Sequence, residues 1–427
     1  MDHSRSAALE QCRREARANL ADSVMPFWAE HAWDADHGGF LTRVDRLGRR
    51  LETAPKYLMM QVRMLAALSW AHDFGLNDRG YLDLAAATFE FIETCFRDQE
   101  NGGYYFTVTR DGKPLSRRKN TDVHAYALTG LSAYADSSGR PDVLETAGGL
   151  FELLQIEAAD GEMGYREDFD GQDWPVLNAE QMHLSENGAI KTIDMHTNVL
   201  EGIAYLSEVS GDDRHLAALR KVFNLILSKG LDPNHGGTVT AFDSQWNAVP
   251  DSQGRFTTSY GLNVELAWLL IKAGQLLHVS WNHYGGPVQR LVDHALEYGF
   301  DPNNGGLASY GPMAGRVEHA SNLADDRMVR SWWTQAELLN ALVDMIELTS
   351  EDRYVEAVLT EWNWIRAFQI DHDHGDWYSE VDPASFRPVT TDKGGEWKTA
   401  FHVARALIRS SEGLERILGA SERGSSA

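Results

Sequence analysis

His124, His196 and His402 stand at or near the starts of apolar helical segments, as do Arg63, Glu265 and Glu337, while Trp332, Trp333 and Trp397 lie beside two of those starts. Imidazoles titrate near neutral pH and can act as bases. An arginine can hold the oxygens of an enediolate, a glutamate can assist ring opening, and indole faces stack on pyranose rings. Together these residue types suit removal of a proton next to a sugar carbonyl. Taken singly, each has an ordinary structural reading: a histidine capping a helix start, a tryptophan pair in the core, a glutamate solvated or salt-bridged. A metal is a weaker reading. His372 and His374 fall on a turn, and no His-Glu-x-x-His spacing occurs.

What gathers these residues is an internal repeat. Asp34-Ala-Asp-His-Gly38-Gly recurs as Asp98-Gln-Glu-Asn-Gly102-Gly, a degenerate Asp160-Gly-Glu-Met-Gly164, Asp232-Pro-Asn-His-Gly236-Gly, Asp301-Pro-Asn-Asn-Gly305-Gly and Asp371-His-Asp-His-Gly375-Asp. The marker glycines 38, 102, 164, 236, 305 and 375 are 62 to 72 residues apart, enough for two helices and their connections. Each marker has the chemistry of a tight turn, and the aromatic or β-branched residues that follow predict a short strand or hairpin. Between 22 and 32 residues beyond each glycine come Arg63, His124, His196, Glu265, Gln335 and His402. Read as one shared phase, they predict six inner helices whose starts ring a single mouth, with helix N-termini favouring developing negative charge there.

The expected elements are an outer helix over 6–30, a hairpin around 40–51, and an apolar helix over 57–72 in which Arg63 is the one charged residue before His72. Outer helices follow at 80–97 and 141–156, and the sixth inner helix opens at Glu396. Residues 172–191, with Trp174 and Glu186, form a long loop of the kind that covers a site. The tail from about 411 is expected to fray. A unit of two helices cannot bury its apolar face alone, so residues 1–427 are read as one domain.

Composition agrees with that reading. Hydrophobic residues make up 43%, with 13 Trp, 14 Tyr and 16 Phe, and the net charge of −24 argues against nucleic acid or an anionic membrane surface as partner. Two cysteines give neither a disulfide framework nor a zinc motif. The opening lacks an apolar export segment, so a cytoplasmic protein, monomer or homodimer, is expected.

Glu396-Trp-Lys-x-x-Phe-His402-x-x-Arg405, Trp332-Trp-x-Gln-Ala-Glu337, and Leu184-Ser-Glu186 followed by Asp194-Met-His196-Thr-Asn198-x-Leu-Glu201 resemble the signatures of the N-acylglucosamine 2-epimerase superfamily, nearest its cellobiose 2-epimerase branch. The resemblance implies an all-α (α/α)6 barrel with short hairpins at one end, acting on a mono- or disaccharide without cofactor or metal by epimerisation or aldose–ketose isomerisation at C2. It matches His402 to a catalytic acid/base, Arg63 to the arginine on the substrate oxygens, and His196 and Glu265 to polar residues of the site, and these four are read as catalytic. It matches Trp333, Glu337 and Trp397 to the residues that hold the sugar, and Trp332, His124, Asn198 and Glu186 are read as binding the sugar with them. Where the family carries Gly-His-Asp ahead of a glutamate, this chain has Gly261-Leu262-Asn263, and where cellobiose epimerases have His-x-His it has His196-Thr-Asn198. Leu262 can be neither acid nor base. Its presence shifts the expectation from an epimerase, which needs a base on each face of C2, toward a one-base isomerase, unless His124 compensates. The rival readings are a glycoside hydrolase or lyase using Glu265 and Glu337, and a carbohydrate-binding protein that has lost catalysis.

Overall fold

The computed structural model describes residues 3–76, 79–177, 190–250, 254–315 and 329–425. Six helices form the inner ring: α3 (Leu58–Asp73), α5 (Thr121–Ser138), α7 (Ile193–Ser210), α9 (Tyr260–Leu276), α11 (Trp332–Thr349) and α13 (Phe401–Ser425). Each packs on the next, and α13 returns to α3, closing an (α/α)6 barrel. The outer layer is α1 (His3–Asn19) with α2 (Met25–His31), α4 (Tyr81–Phe91), α6 (Pro141–Glu157), α8 (Asp213–Leu225), α10 (Trp281–His294) and α12 (Asp352–Trp364).

The two layers differ in pattern because they differ in what they touch. Outer helices bury one stripe, as α10 does through Tyr284, Val288, Leu291 and Val292. Inner helices are enclosed on all sides; in α3 every residue from Leu58 to Ser69 is buried. Five outer segments also contain a π-helical turn, four of them just before a marker aspartate (Ile92–Phe96, Ile226–Gly230, Ala295–Gly299, Ile365–Gln369). The predicted segments 6–30 and 80–97 are each a helix running into such a turn.

Each described inner helix from α3 to α11 is entered through a short strand paired antiparallel with a hairpin strand of the next unit. Lys56 pairs with Val108, Lys119 with Phe169, Lys191 with Phe242, Ser259 with Tyr310 and Arg330 with Val381. The marker turns are locked to these strands by buried ion pairs. Lys56 Nζ is 3.0 Å from Asp34, Lys119 Nζ 2.8 Å from Asp98, Lys191 Nζ 2.9 Å from Asp160, and Lys393 Nζ 3.1 Å from Asp371. Arg330 stands 3.6 Å from Asp301. In the fourth unit Thr258 takes the equivalent place, against Thr238. The marker is thus a clamp. In the first, second and fifth units its aspartate is buried and paired with a cation two residues before the next inner helix.

Two expectations are corrected. The sixth inner helix starts at Phe401, with residues 394–400 non-helical, so Trp397 and Lys398 precede it. The segment from 411 does not fray at its start: Leu414 is fully buried, Ile417 is buried, and Arg416 pairs with Glu347 at 2.7 Å.

Breaking one clamp tests its weight. Lys119→Met leaves the buried Asp98 carboxylate without its cation and is expected to lower unfolding stability in urea by about 3–5 kcal/mol, with Asp98→Asn in the same chain recovering most of the loss. An unchanged midpoint for the single variant would remove the clamp from the account of the fold.

Candidate active site

The residue before each inner helix is Tyr57, Asn120, Thr192, Ser259 or Ser331. Four residues on stand Gln61, His124, His196, Asn263 and Gln335, and all five do the same job. Each accepts the backbone N–H of the residue just past the marker glycines: Phe40 to Gln61 at 2.7 Å, Tyr104 to His124 at 3.0 Å, Tyr165 to His196 at 3.1 Å, Thr238 to Asn263 at 2.8 Å and Leu307 to Gln335 at 2.7 Å. In both histidines Nδ1–H donates to the carbonyl one turn back, Asn120 at 2.7 Å and Thr192 at 2.8 Å. Burial pushes each imidazole down to about 3. Gly103 is required beside His124, since a Cβ there would lie 2.7 Å from Nε2. With both ring nitrogens committed, His124 and His196 hold the wall and have no lone pair left for substrate. His124 therefore does not replace the histidine missing at Leu262.

Six residues on, the side chains are Arg63, Tyr126, Asn198, Glu265 and Glu337, and these face the axis. The decisive contact is Arg405 of α13, whose Nη1 donates to Glu201 of α7 at 2.7 Å. Those helices stand opposite each other in the ring, so the bond closes across it. Arg405 Nη2 also reaches Glu337 at 2.7 Å and Glu265 at 3.3 Å. Glu337 collects three further donors: His402 Nδ1 at 2.6 Å, Trp268 Nε1 at 2.6 Å and Asn340 Nδ2 at 3.0 Å. Although its burial alone would favour the protonated acid, Arg405 and His402 hold it well below the usual carboxylate range. Glu265 goes the other way. Burial and the neighbouring Glu337 raise it far above the usual range, and its Oε2 has no partner among the described residues.

His402 is 4% exposed and is pushed down to about 4, first by burial, although its bond to Glu337 opposes the shift. Since Glu337 is ionised, Nδ1 carries the proton. Nε2 keeps its lone pair and has no partner among the described residues. Arg63 donates Nη1 to the Trp397 carbonyl at 2.5 Å and lies over the Tyr126 ring at 4.1 Å, while its buried Nε has no partner among the described residues. Trp333 is half-buried with its ring centroid 6.1 Å from that of His402, and Trp397 is half-buried beside them. Trp332 turns away from this space into the wall, near Lys398. Glu186 lies outside the described residues.

Glu265, Glu337 and His402 present three potential metal-ligand atoms close together. One oxygen of Glu337 and one of Glu265 already share the Arg405 guanidinium. A fixed cation at that point competes with a divalent ion, so the donor set does not fit a metal.

The sequence model of the N-acylglucosamine 2-epimerase (GlcNAc 2-epimerase) family matches residues 38–406, most of the chain and the whole of this constellation. The chain belongs to the N-acylglucosamine 2-epimerase family. It is similar to the cellobiose 2-epimerase of Dictyoglomus turgidum, 26% identical over 407 residues, which cover 94% of this chain and 98% of that one. The cellobiose 2-epimerase of Ruminococcus albus is 28% identical over 403 residues, covering 92% and 97%. Among solved structures, that of cellobiose 2-epimerase from Spirochaeta thermophila superposes with a TM-score of 0.85 at 28% identity, covering 96% of this chain and 98% of that one. As a member of this family, the protein is a carbohydrate isomerase.

Several groups at the centre of this family member's site carry no role in the reading of its sequence: Arg405, Glu201, Tyr126, Trp268, Asn340, Asp122 and Asp194. Helical spacing was the signal that could have found most of them. Arg405 follows His402 by three residues, Glu201 follows Asn198, Trp268 follows Glu265 and Asn340 follows Glu337, so each falls on the same helix face.

The wall role of His124 predicts that glutamine, used for the same bond at Gln61 and Gln335, replaces it. His124→Gln should keep turnover within a few-fold of the parent and leave the melting temperature near its parent value. A loss of a hundredfold or more in turnover, with the fold intact, would return His124 to the chemistry.

Proposed function

We propose that this protein interconverts a reducing sugar with its C2 epimer or its ketose, using its own side chains without a cofactor, and that His402 Nε2 is the base that removes the C2 proton. The observation carrying this reading is the polarised pair of Glu337 and His402: an ionised carboxylate fixes the Nδ1–H tautomer, and the opposite nitrogen keeps an unused lone pair. After proton transfer the same carboxylate stabilises the imidazolium. Arg63, with nitrogens left over after its bond to the Trp397 carbonyl, holds the oxygen on which enediolate charge develops. Glu265, whose carboxyl burial and the neighbouring Glu337 push toward the protonated form, is the acid that supplies a proton to the ring oxygen as the pyranose opens. Trp333 and Trp397 bracket the sugar, and the cellobiose 2-epimerase relatives make a disaccharide with a free reducing end the first substrate to try.

The hydrolase reading asks for two carboxylates flanking a bond, each with an oxygen to spare. Both oxygens of Glu337 are occupied by donors. That difference favours the isomerase.

His402→Asn is expected to keep the fold and to lower turnover by at least about 10²–10⁴-fold, with loss of deuterium incorporation at C1 and C2 when cellobiose or D-mannose is incubated in heavy water. Near-parental exchange in that variant would remove His402 as the base. The pH profile gives an independent check. The base form is the neutral imidazole, and its titration is moved down to about 4. Turnover should therefore persist as pH falls through the ordinary histidine range near 6.5 and be lost only toward pH 4; an acid limb at 6 to 7 would contradict the assignment.

A sugar-stacking role for Trp397 makes a separate prediction. Trp397→Ala should raise KM several-fold with little change in melting temperature, because the indole is half-exposed; destabilisation of about 3–5 kcal/mol, the cost of emptying a core tryptophan site, would assign it to packing.

A further inference from the structure

Across the barrel from His402, α7 and its neighbour α5 present a polar unit that the mechanism above does not use. Asn198 donates its amide to Asp122 Oδ1 at 2.6 Å and to Asp194 Oδ1 at 3.3 Å. Asp122 and Asp194 both lie two residues past the entry to their helices, at the mouth, and Asn198 lies one turn deeper, in the layer of Arg63, Glu265 and Glu337. Asp122 is buried, whereas the Asp194 side chain is open to solvent. In the ring order α7 stands opposite α13, the helix that carries His402. The charge of Arg63 acts on Asp122, on Asp194 and on His402, and that of Asp194 acts on Glu265.

Two independent features mark this wall as facing a hydroxylated ligand. Asn198 is 4% exposed, yet with its amide spent on the carboxylates its Oδ1 has no partner among the described residues. Arg63, 5% exposed, has Nε in the same condition. Buried polar atoms left unpaired are costly, and sugar hydroxyls can pair both. The protonation of the unit is also suited to transfer. Burial, then Asp194 beside it, push Asp122 up to about 7 against the pull of Asn198 and Arg63, while Asp168 adds to the rise. Glu167, behind the pair on the strand side, is raised in turn by burial and by the same carboxylates. Two carboxyls bridged by one amide can hold a single proton between them.

We propose that Asp194, joined to Asp122 through the Asn198 amide, is the second acid–base residue of this site and delivers a proton to the face of C2 opposite the one His402 deprotonates. The proposal rests on the reading of His402 as the C2 base. It gives the chain a substitute for the imidazole absent at Leu262, which neither His124 nor His196 can supply. In the forward step His402 Nε2 takes the C2 proton, the C2–H electrons form the C1–C2 double bond, and charge collects on O1 against Arg63. In the return step the O1 electrons reform the carbonyl and C2 takes the proton of the Asp194 carboxylic acid from the other side. Asp194 is left as carboxylate and His402 as imidazolium. Exchange with water, or turnover in the reverse direction, restores both, and no redox change occurs. Were His402 alone to act, its proton would return on the same face, to C2 or to C1, giving starting sugar or ketose and no epimer.

The test incubates cellobiose and D-mannose in heavy water with the parent protein, Asp194→Asn, Asp194→Asn with Leu262→His, and His402→Asn, and follows C1 and C2 by NMR. The parent is expected to form the 2-epimer with deuterium at C2. Asp194→Asn should still exchange deuterium into starting sugar or ketose while the epimer share falls at least tenfold, and Leu262→His in that background should restore epimer. An epimer share in Asp194→Asn equal to the parent's, or equal losses of exchange and epimer, would overturn the proposal while leaving His402 in place. No exchange by the parent on either sugar, or undiminished exchange by His402→Asn, would instead overturn the His402 reading and this one with it.

Discussion

The guanidinium of Arg405 is the point on which the interior depends. It bonds to Glu201, Glu337 and Glu265, three carboxylates from three different inner helices, one of them on the opposite side of the ring. Taking that many ions out of water costs several kcal/mol apiece unless each is neutralised. One cation cannot neutralise three anions. The resolution is unequal. Glu337, with four donors, stays ionised, while Glu201 and Glu265 are driven toward the protonated form by burial and by the field of Glu337. A need imposed by burial thereby leaves, within one layer of side chains, one carboxylate ionised beside an imidazole and another pushed toward the acid form.

The inner helices serve two demands with one periodicity. At about 100° per residue, the positions four and six beyond the helix entry point to nearly opposite sides. The first set, His124 and His196 among them, turns to the marker turns and holds their backbone. The second, with Arg63, Glu265 and Glu337, turns to the axis. Residues two and nine beyond the entry share the second face within about 60°, which is why Asp122, Asp194 and Trp333 form a mouth above that layer and Glu201, Trp268 and Asn340 a floor beneath it. The wall and the cavity are built from the same helical turns.

The sixth unit breaks the pattern. Its clamp lysine, Lys393, is followed by seven non-helical residues before α13 begins at Phe401. That stretch carries the Trp397 carbonyl to Arg63, while Lys398 is anchored by Asp376 at 2.5 Å. His402 thus enters the site from a helix whose start is displaced relative to the other five, which brings its ring to Glu337.

Read alone, the sequence determined the repeat, the ring of paired helices, the family, and the presence of His402, Arg63, Glu265, Glu337, Trp333 and Trp397 near its mouth, because turn chemistry and apolar periodicity are local and each unit writes them again. It did not determine which polar residue at a helix start faces the axis. His124 and His196 share residue type and approximate spacing with His402, and a shift of two residues, invisible when units differ in length by several, separates a wall bond from a free lone pair. Trp332 and Trp333 differ by one residue and face different surroundings for the same reason. Only the tertiary structure decided these assignments, together with the pairing of Asp122 and Asp194 through Asn198 and the convergence on Arg405, since protonation and orientation there are set by burial and by charges from helices far apart in the chain.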